Sequence, residues 1–294
     1  MSMESVWASI AQKISKTTGN PFVARSAQSV GGGCINSASV LQDNDRRYFI
    51  KLNDAARVDM FKAEAAGLNE IAFTGTVRVP KPICWGTAGG HGYLVLEFLD
   101  LGETDSRSQE RLGQQLAQMH RFTHEQYGWK INNTIGSTPQ INTQSSDWTQ
   151  FWRDHRLGYQ LELATRNGRN LLKKSERLLA DLGTFFQNYR PVPSLLHGDL
   201  WSGNVGVARQ QPVIYDPAVY YGDRETDVAM TELFGRFSGR FYQAYRDLWP
   251  LDDGYPTRKT LYNLYHVLNH YNIFGGNYEA QAEHMMDLLL SELR

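Results

Sequence analysis

Eight consecutive residues constrain this chain more than any other segment: His197-Gly198-Asp199-Leu200-Trp201-Ser202-Gly203-Asn204. They follow the apolar Ser194-Leu195-Leu196 and precede Val205-Gly206-Val207, so a dense polar loop lies between two short apolar runs. A short strand, Val213-Ile214-Tyr215, then ends at Asp216-Pro217. An Asp and an Asn therefore stand five apart in one loop, with a second Asp just past the next strand. Phosphoryl transfer needs this set. One carboxylate accepts the hydroxyl proton, while an amide oxygen and another carboxylate hold magnesium against the nucleotide phosphates. A plain hairpin uses the same turn-forming Asp, Gly and Asn, but the order and spacing of Asp199, Asn204 and Asp216 favour chemistry.

The rest of the composition is compatible with an enzyme and excludes other classes. A chain of 294 residues has room for roughly two domains at about 150 residues each. Thirty basic residues against 31 acidic ones give a net charge of −1, without the basic excess of a nucleic-acid binder. Apolar residues make up 41%, with charge interspersed, which excludes a disordered chain. No uncharged apolar run reaches the roughly 18 residues of a membrane helix, and the start, Met-Ser-Met-Glu-Ser-Val-Trp, is unlike a secretory signal. Cys34 and Cys84 alone make neither a disulfide framework nor a four-cysteine metal site. The expectation is a cytoplasmic protein with reduced thiols and neither nucleic-acid nor membrane partners.

Residues 36–41 and 47–53 read as two strands joined by the turn Gln42-Asp43-Asn44-Asp45. Period two puts Phe49, Lys51 and Asn53 on one face of the second strand. Val58, Phe61, Glu64, Leu68 and Ile71 then share one helix face, with Glu64 the acid on an apolar stripe. Residues 93–98 suit a buried strand. Helical patterns follow at Leu112, Leu116, Met119 and Phe122, and over about 147–165, 172–188, 226–248, 258–273 and 277–293. One helix is expected in the first hundred residues. These elements supply the other parts a kinase needs: a glycine-rich hairpin at Val30-Gly31-Gly32-Gly33-Cys34-Ile35-Asn36, a strand lysine at Lys51 and a helix glutamate at Glu64. Each alone has a bland reading as a flexible turn, a surface lysine or a solvated charge; their shared order argues against coincidence. Neither a P-loop nor a Gly-x-Ser-x-Gly elbow occurs. The pairs His120/His124 and His266/His270 read as core or surface histidines rather than metal ligands. His197 reads as a brace for its loop.

The octapeptide at 197–204 resembles the signature of the fructosamine kinase (ketosamine-3-kinase) family, part of the aminoglycoside- and choline-kinase-like group. Three further stretches resemble it: Ile135-Gly136-Ser137-Thr138-Pro139-Gln140, residues 221–235 (Tyr-Gly-Asp-Arg-Glu-Thr-Asp-Val-Ala-Met-Thr-Glu-Leu-Phe-Gly), and residues 268–276 (Leu-Asn-His-Tyr-Asn-Ile-Phe-Gly-Gly). The resemblance spans about residues 5–290.

It implies an α+β, bilobal, protein-kinase-like fold: a five-stranded antiparallel N-lobe sheet with one helix over 1–99, then a mainly helical C-lobe over 100–294. ATP with magnesium would bind between the lobes, the adenine against Glu97, Phe98 and Leu99. The amides of Gly32, Gly33, Cys34, Ile35 and Asn36 would cover the phosphates. Lys51 would contact the α/β-phosphates and pair with Glu64; Asn204 and Asp216 would hold the metal. Asp199 would deprotonate the 3-hydroxyl of a ketoamine, on a small molecule or on a glycated protein lysine, leading to deglycation. Trp201 would face the sugar or simply pack its loop. Asp227 would accept hydrogen bonds from the catalytic-loop amides. Family members with a cysteine at the Cys34 position imply a redox-dependent homodimer as the alternative to a monomer; otherwise Cys34 is a turn residue. Two rivals stand beside this reading: a kinase of another small hydroxyl compound, aminoglycoside- or choline-like, and a non-catalytic nucleotide-binding pseudokinase. Residues 132–146 carry Asn, Thr, Ser and Gln but no acid before Asp147, which suits a neutral sugar better than a polycation.

Overall fold

Five antiparallel strands frame the first part of the chain: β1 (Ser26–Val30), β2 (Ser37–Gln42), β3 (Arg47–Asp54), β4 (Pro82–Ala88) and β5 (His91–Glu97), in spatial order β1-β2-β3-β5-β4. The computed structural model describes residues 2–31, 35–166 and 172–293. The chain divides into two compact units, Met1–Glu103 with Gly206–Asp216, and Thr104–Val205 with Pro217–Arg294. Asp216 therefore groups with the sheet and not with Asp199.

Alternation along β3 decides what each face of the sheet does. Ile50 and Leu52 are buried in a cluster with Leu41, Tyr93, Val95 and the residues Val6, Ile10 and Ile14 of a helix, α1 (Met3–Thr18). Lys51, one residue out of phase, points to the opposite face, toward α2 (Val58–Phe73). Among the described residues, the first hundred thus hold two α-helices, not the single helix expected. The buried stripe of α1 is short, Val6, Ile10, Ala11 and Ile14, with Trp7 packed beside it, and its meaning emerges only against the sheet. Gly19 ends α1 in the left-handed region, at φ 72°. A late hairpin, Val205–Ala208 with Gln211–Ile214, joins the first unit through bridges from Gly102 to Val207 and from Arg78 to Val213.

The second unit is mostly helical. Its helix α3 (Ser106–His120) opens on a capping box between Asp105 and Ser108. Sequence periodicity over 147–165 predicts one helix; the structure has α4 (Trp148–Trp152), a π-helical turn over Arg153–Leu157 and α5 (Gly158–Arg166). The wide turn brings Arg156 inside, fully buried, where its guanidinium donates to the Ile141 carbonyl and to Asn142 Oδ1 and lies 4.0 Å from the Tyr220 ring centroid. The 172–188 pattern splits into α6 (Leu172–Ala180) and a 3-10 turn. The 226–248 pattern splits into α7 (Glu225–Met230) and α8 (Gly239–Leu248), with Gly235 at φ 79° in the break. Helices α9 (Tyr255–Phe274) and α10 (Tyr278–Glu292) close the unit. Helix α3 crosses α8 at Gly113, where a Cβ would come 2.3 Å from the Phe241 carbonyl oxygen. No described helix is long and apolar enough to cross a membrane.

Candidate active site

In the first unit, Lys51 is buried and its ammonium donates to two carboxylates, Glu64 Oε1 at 2.6 Å and Asp216 Oδ1 at 2.5 Å. Burial alone would lower the lysine pKa. The charge of Asp216, then that of Glu64, outweighs it and holds the ammonium above the usual lysine range. Glu64 sits on the expected apolar face beside Phe61, Leu68 and Ile71, all fully buried. Its pKa is raised, by burial first and then by competition with Asp216 for one ammonium, against the pull of Lys51. Asp216 reaches this position with φ at 57°, a left-handed conformation that Asp tolerates better than most residues. Asn53, on the Lys51 face of β3, donates to the Ile35 carbonyl and to Asn36 Oδ1 (3.1 and 2.7 Å), pinning the end of the glycine-rich hairpin. Gly32, Gly33 and Cys34 lie outside the described residues. Glu97 accepts from the Lys81 N–H at 2.9 Å and from Arg78, and the Phe98 ring lies 4.0 Å from the Arg47 guanidinium. Leu99 is half-buried.

In the second unit, Asp227 organises the loop at 197–204. Its carboxylate accepts from the backbone N–H of His197 at 2.7 Å and of Gly198 at 2.8 Å, and from His120 Nε2 at 3.1 Å. Burial opposes its charge, but His120 and the loop amides keep its pKa below the ordinary value. Burial likewise lowers the pKa of His120. A neutral imidazole facing a carboxylate carries its proton on Nε2, so Nδ1 accepts from the Tyr245 hydroxyl at 2.8 Å. That hydroxyl accepts in turn from Arg224 at 3.1 Å. Gly198 has φ 82°, and a Cβ on it would meet the Ala218 carbonyl oxygen at 2.1 Å; only glycine fits between His197 and Asp199. Ala218 N–H donates to the His197 carbonyl at 2.8 Å, closing the staple. Asp199 is half-buried, and its N–H donates to His197 Nδ1 at 3.3 Å. Asn204 Nδ2 donates to the Asp199 carbonyl at 2.9 Å and to its Oδ2 at 3.3 Å, which directs the amide oxygen away from Asp199. Trp201 folds over Gly203, keeps 36% of its surface exposed and meets Phe234 edge-on.

Two residues of the 132–146 segment have a different role from the one read in the sequence. Gln140 and Asn142 are buried and turned inward. Gln140 donates to the Ala218 carbonyl and Asn133 and accepts from Tyr265, while Asn142 bonds Asn133 and Arg156. They brace the segment beside the loop and say nothing about the acceptor. His120 is a core histidine, as read from the sequence, but its bond to Asp227 was not foreseen. Its signal was present: it continues the Leu112, Leu116 stripe of α3 at the same spacing, a polar residue where a core residue belongs. Among the described residues, no group of three or more His, Cys, Asp or Glu could hold a metal.

The fructosamine kinase family model matches residues 6–292. A Synechocystis protein named "Probable ketoamine kinase" is 50% identical over 288 residues, 95% of each chain. The protein-ribulosamine 3-kinase, chloroplastic, of Arabidopsis thaliana is 44% identical over 272 residues, 90% of this chain and 83% of that one. A crystal structure of a candidate fructosamine-3-kinase from Haemophilus somnus superposes with a TM-score of 0.91 at 29% identity, covering 98% of this chain and 99% of the other. The sheet with its buried lysine–glutamate pair and the helical unit with its Asp-Asn loop are the halves of a protein-kinase-like fold, and such an enzyme draws its phosphoryl group from a nucleotide. The chain belongs to the fructosamine kinase family.

Proposed function

We propose that the protein transfers the γ-phosphoryl group of ATP to the 3-hydroxyl of ketoamines, the adducts of a reducing sugar with an amine. The 44% identity to a plant protein-ribulosamine 3-kinase carries the acceptor class. In this reading Asp199 accepts the hydroxyl proton as the sugar oxygen attacks the γ-phosphorus and the bond to the β-phosphate bridging oxygen breaks, releasing ADP. Lys51 neutralises the α/β-phosphates, and Glu64 keeps it extended from β3. The amides of residues 32–36 cover the phosphates, and the segment at Glu97, Phe98 and Leu99 takes the adenine. Asp227 and His120 hold the loop so that Asp199 stays aimed during turnover. Asn204 and Asp216 offer two hard oxygen donors, the sparse protein set that suits magnesium completed by phosphate oxygens and water; bound there, the ion would neutralise charge on the phosphates. Trp201 presents its exposed face to the sugar. The 3-phosphate so formed is prone to elimination, which frees the amine and makes the reaction a repair of glycated lysines. The experiment is ATP consumption with ribulose-, erythrulose- and fructose-lysine adducts. Turnover of at least one with phosphate found on O3 is expected; ATP consumption indifferent to all three refutes the acceptor class.

A further inference from the structure

The catalytic loop is tied to a turn that carries an aromatic side chain. The Ser202 hydroxyl donates to the Phe234 carbonyl at 2.9 Å. Gly235 follows at φ 79°, and a Cβ there would stand 2.8 Å from Ser202 Oγ, so the loop and the turn approach as closely as glycine allows. From this anchor runs a strip of five rings. Phe234 lies edge-on to Trp201 with centroids 6.4 Å apart, 4.5 Å from His270 and 6.3 Å from Tyr278. His270 in turn lies 5.2 Å from Tyr278 and 5.7 Å from Phe274. The rings come from the catalytic loop, the α7–α8 break, the end of α9 and the start of α10. They are not core: Trp201 is 36% exposed, Phe274 is 49% exposed, and the other three are half-buried. Neighbouring aromatic faces left partly open to water mark a binding surface. His270 donates from Nδ1 to the His266 carbonyl at 2.9 Å, and burial lowers its pKa against the pull of that bond, which disfavours a positive charge within the strip.

We propose that this strip is the subsite for the amine half of the acceptor: the protonated secondary amine of a ketoamine and the aliphatic chain of the lysine that bears it. The inference rests on the acceptor class proposed above. In a ketoamine the nitrogen sits on C1, four bonds from the oxygen on C3. With that oxygen at Asp199, the nitrogen lies within reach of Trp201, two residues along the loop, and the lysine chain continues over Phe234 toward His270 and Tyr278. An ammonium is attracted to aromatic faces, and the methylenes beside it pack on the same rings. The sugar needs only the Trp201 face nearest Asp199; the four rings beyond it suit a cation on a carbon chain. This gives a role to Phe234, His270 and Phe274, to which the phosphoryl-transfer steps above assign none.

The test uses the full chain, with Phe234→Leu and Tyr278→Leu, which keep apolar volume and remove the π face, and Tyr278→Phe, which keeps the ring. With a ribulose adduct of Nα-acetyl-lysine, each leucine variant is expected to raise KM roughly three- to thirty-fold. The change in kcat should be smaller, KM for ATP should stay put, and Tyr278→Phe should raise KM far less than Tyr278→Leu. A second measurement needs no variant. Nα-acetyl-Nε-methyl-lysine, a secondary ammonium without a sugar, should compete with the adduct, and Nα-acetyl-norleucine, which keeps the carbon chain and lacks the ammonium, should compete far less. Equal inhibition by the two overturns the proposal, as does a Tyr278→Phe defect as large as that of the leucine variant, or a loss confined to kcat. Failure of the acceptor class itself shows differently, as a parent enzyme that turns over no ketoamine, and it removes this inference with it.

Discussion

Replacing Glu64 with glutamine tests the charge arithmetic around Lys51. Breaking an isolated buried ion pair by removing one partner costs about 3–5 kcal/mol, because the survivor is stranded. Here the survivor is not stranded: Lys51 keeps Asp216 Oδ1 at 2.5 Å, and the glutamine amide still offers an oxygen at the position where Glu64 Oε1 accepts at 2.6 Å. Removing the second of two carboxylates also relieves the repulsion that raises the pKa of Glu64. The expected cost is therefore about 1–2 kcal/mol, the range of a charge-assisted hydrogen bond downgraded to a neutral one. In a protein of this size that lowers Tm by roughly 2–8 °C. Lys51→Met is the opposite case. It leaves Glu64 without its cation in a site only 10% exposed, and the full cost of about 3–5 kcal/mol applies. Activity behaves differently: with position 64 neutral, the ammonium is drawn to Asp216 alone, and KM for ATP should rise in both variants. Differential scanning calorimetry with ATP kinetics decides. A Glu64→Gln loss equal to that of Lys51→Met would refute the claim that Asp216 shares the lysine.

Other outcomes are expected from the second unit. Asp199→Asn should lower kcat about 10²–10⁴-fold and leave ATP affinity, measured by titration calorimetry, nearly unchanged; half the parent turnover would remove Asp199 from the role of base. Asp227→Asn weakens three hydrogen bonds at once and should cost about 2–4 kcal/mol in urea denaturation, together with a fall in kcat; a change below about 0.5 kcal/mol would show that the loop holds itself. His266 is buried, and burial pushes its pKa from 6.5 down to about 3. The folded state therefore holds it neutral where the unfolded chain protonates it. The stability this contributes is complete above pH 6.5 and is lost as pH falls toward 3, up to about 5 kcal/mol in all. His266→Phe should flatten the dependence of the urea midpoint on pH between 6.5 and 4.5, and an unchanged slope would assign that dependence to other groups. If Cys34 is a redox residue, a covalent dimer should appear on a non-reducing gel after oxidation, with activity restored by dithiothreitol and both responses lost in Cys34→Ala. Cys84 does not compete for this role: it is buried, and burial pushes its thiol up to about 11.

By itself the sequence determined what depends on neighbours along the chain. The strands read at 36–41 and 47–53 are Ser37–Gln42 and Arg47–Asp54, because alternation is a local property of extended backbone. The residue types with phosphoryl chemistry stood in order, but only the Ala218 carbonyl against Gly198 showed that no side chain fits there. The tertiary structure decided which of several chemically equivalent partners each group received. Lysine at 51 could have been held by any acid on its face; packing gave it Asp216, 165 positions away, as well as Glu64. The i, i+4 histidines at 120 and 124 looked like two similar residues, yet His120, the last residue of α3, is sealed against Asp227, while His124 lies beyond the helix end and is exposed. Periodicity predicted one helix over 226–248, but Gly235 and the bond from Ser202 to Phe234 broke it and turned a ring toward the catalytic loop. Period and residue type fix which face a side chain takes; burial, charge pairing and close approach across long sequence separations fix what it meets there.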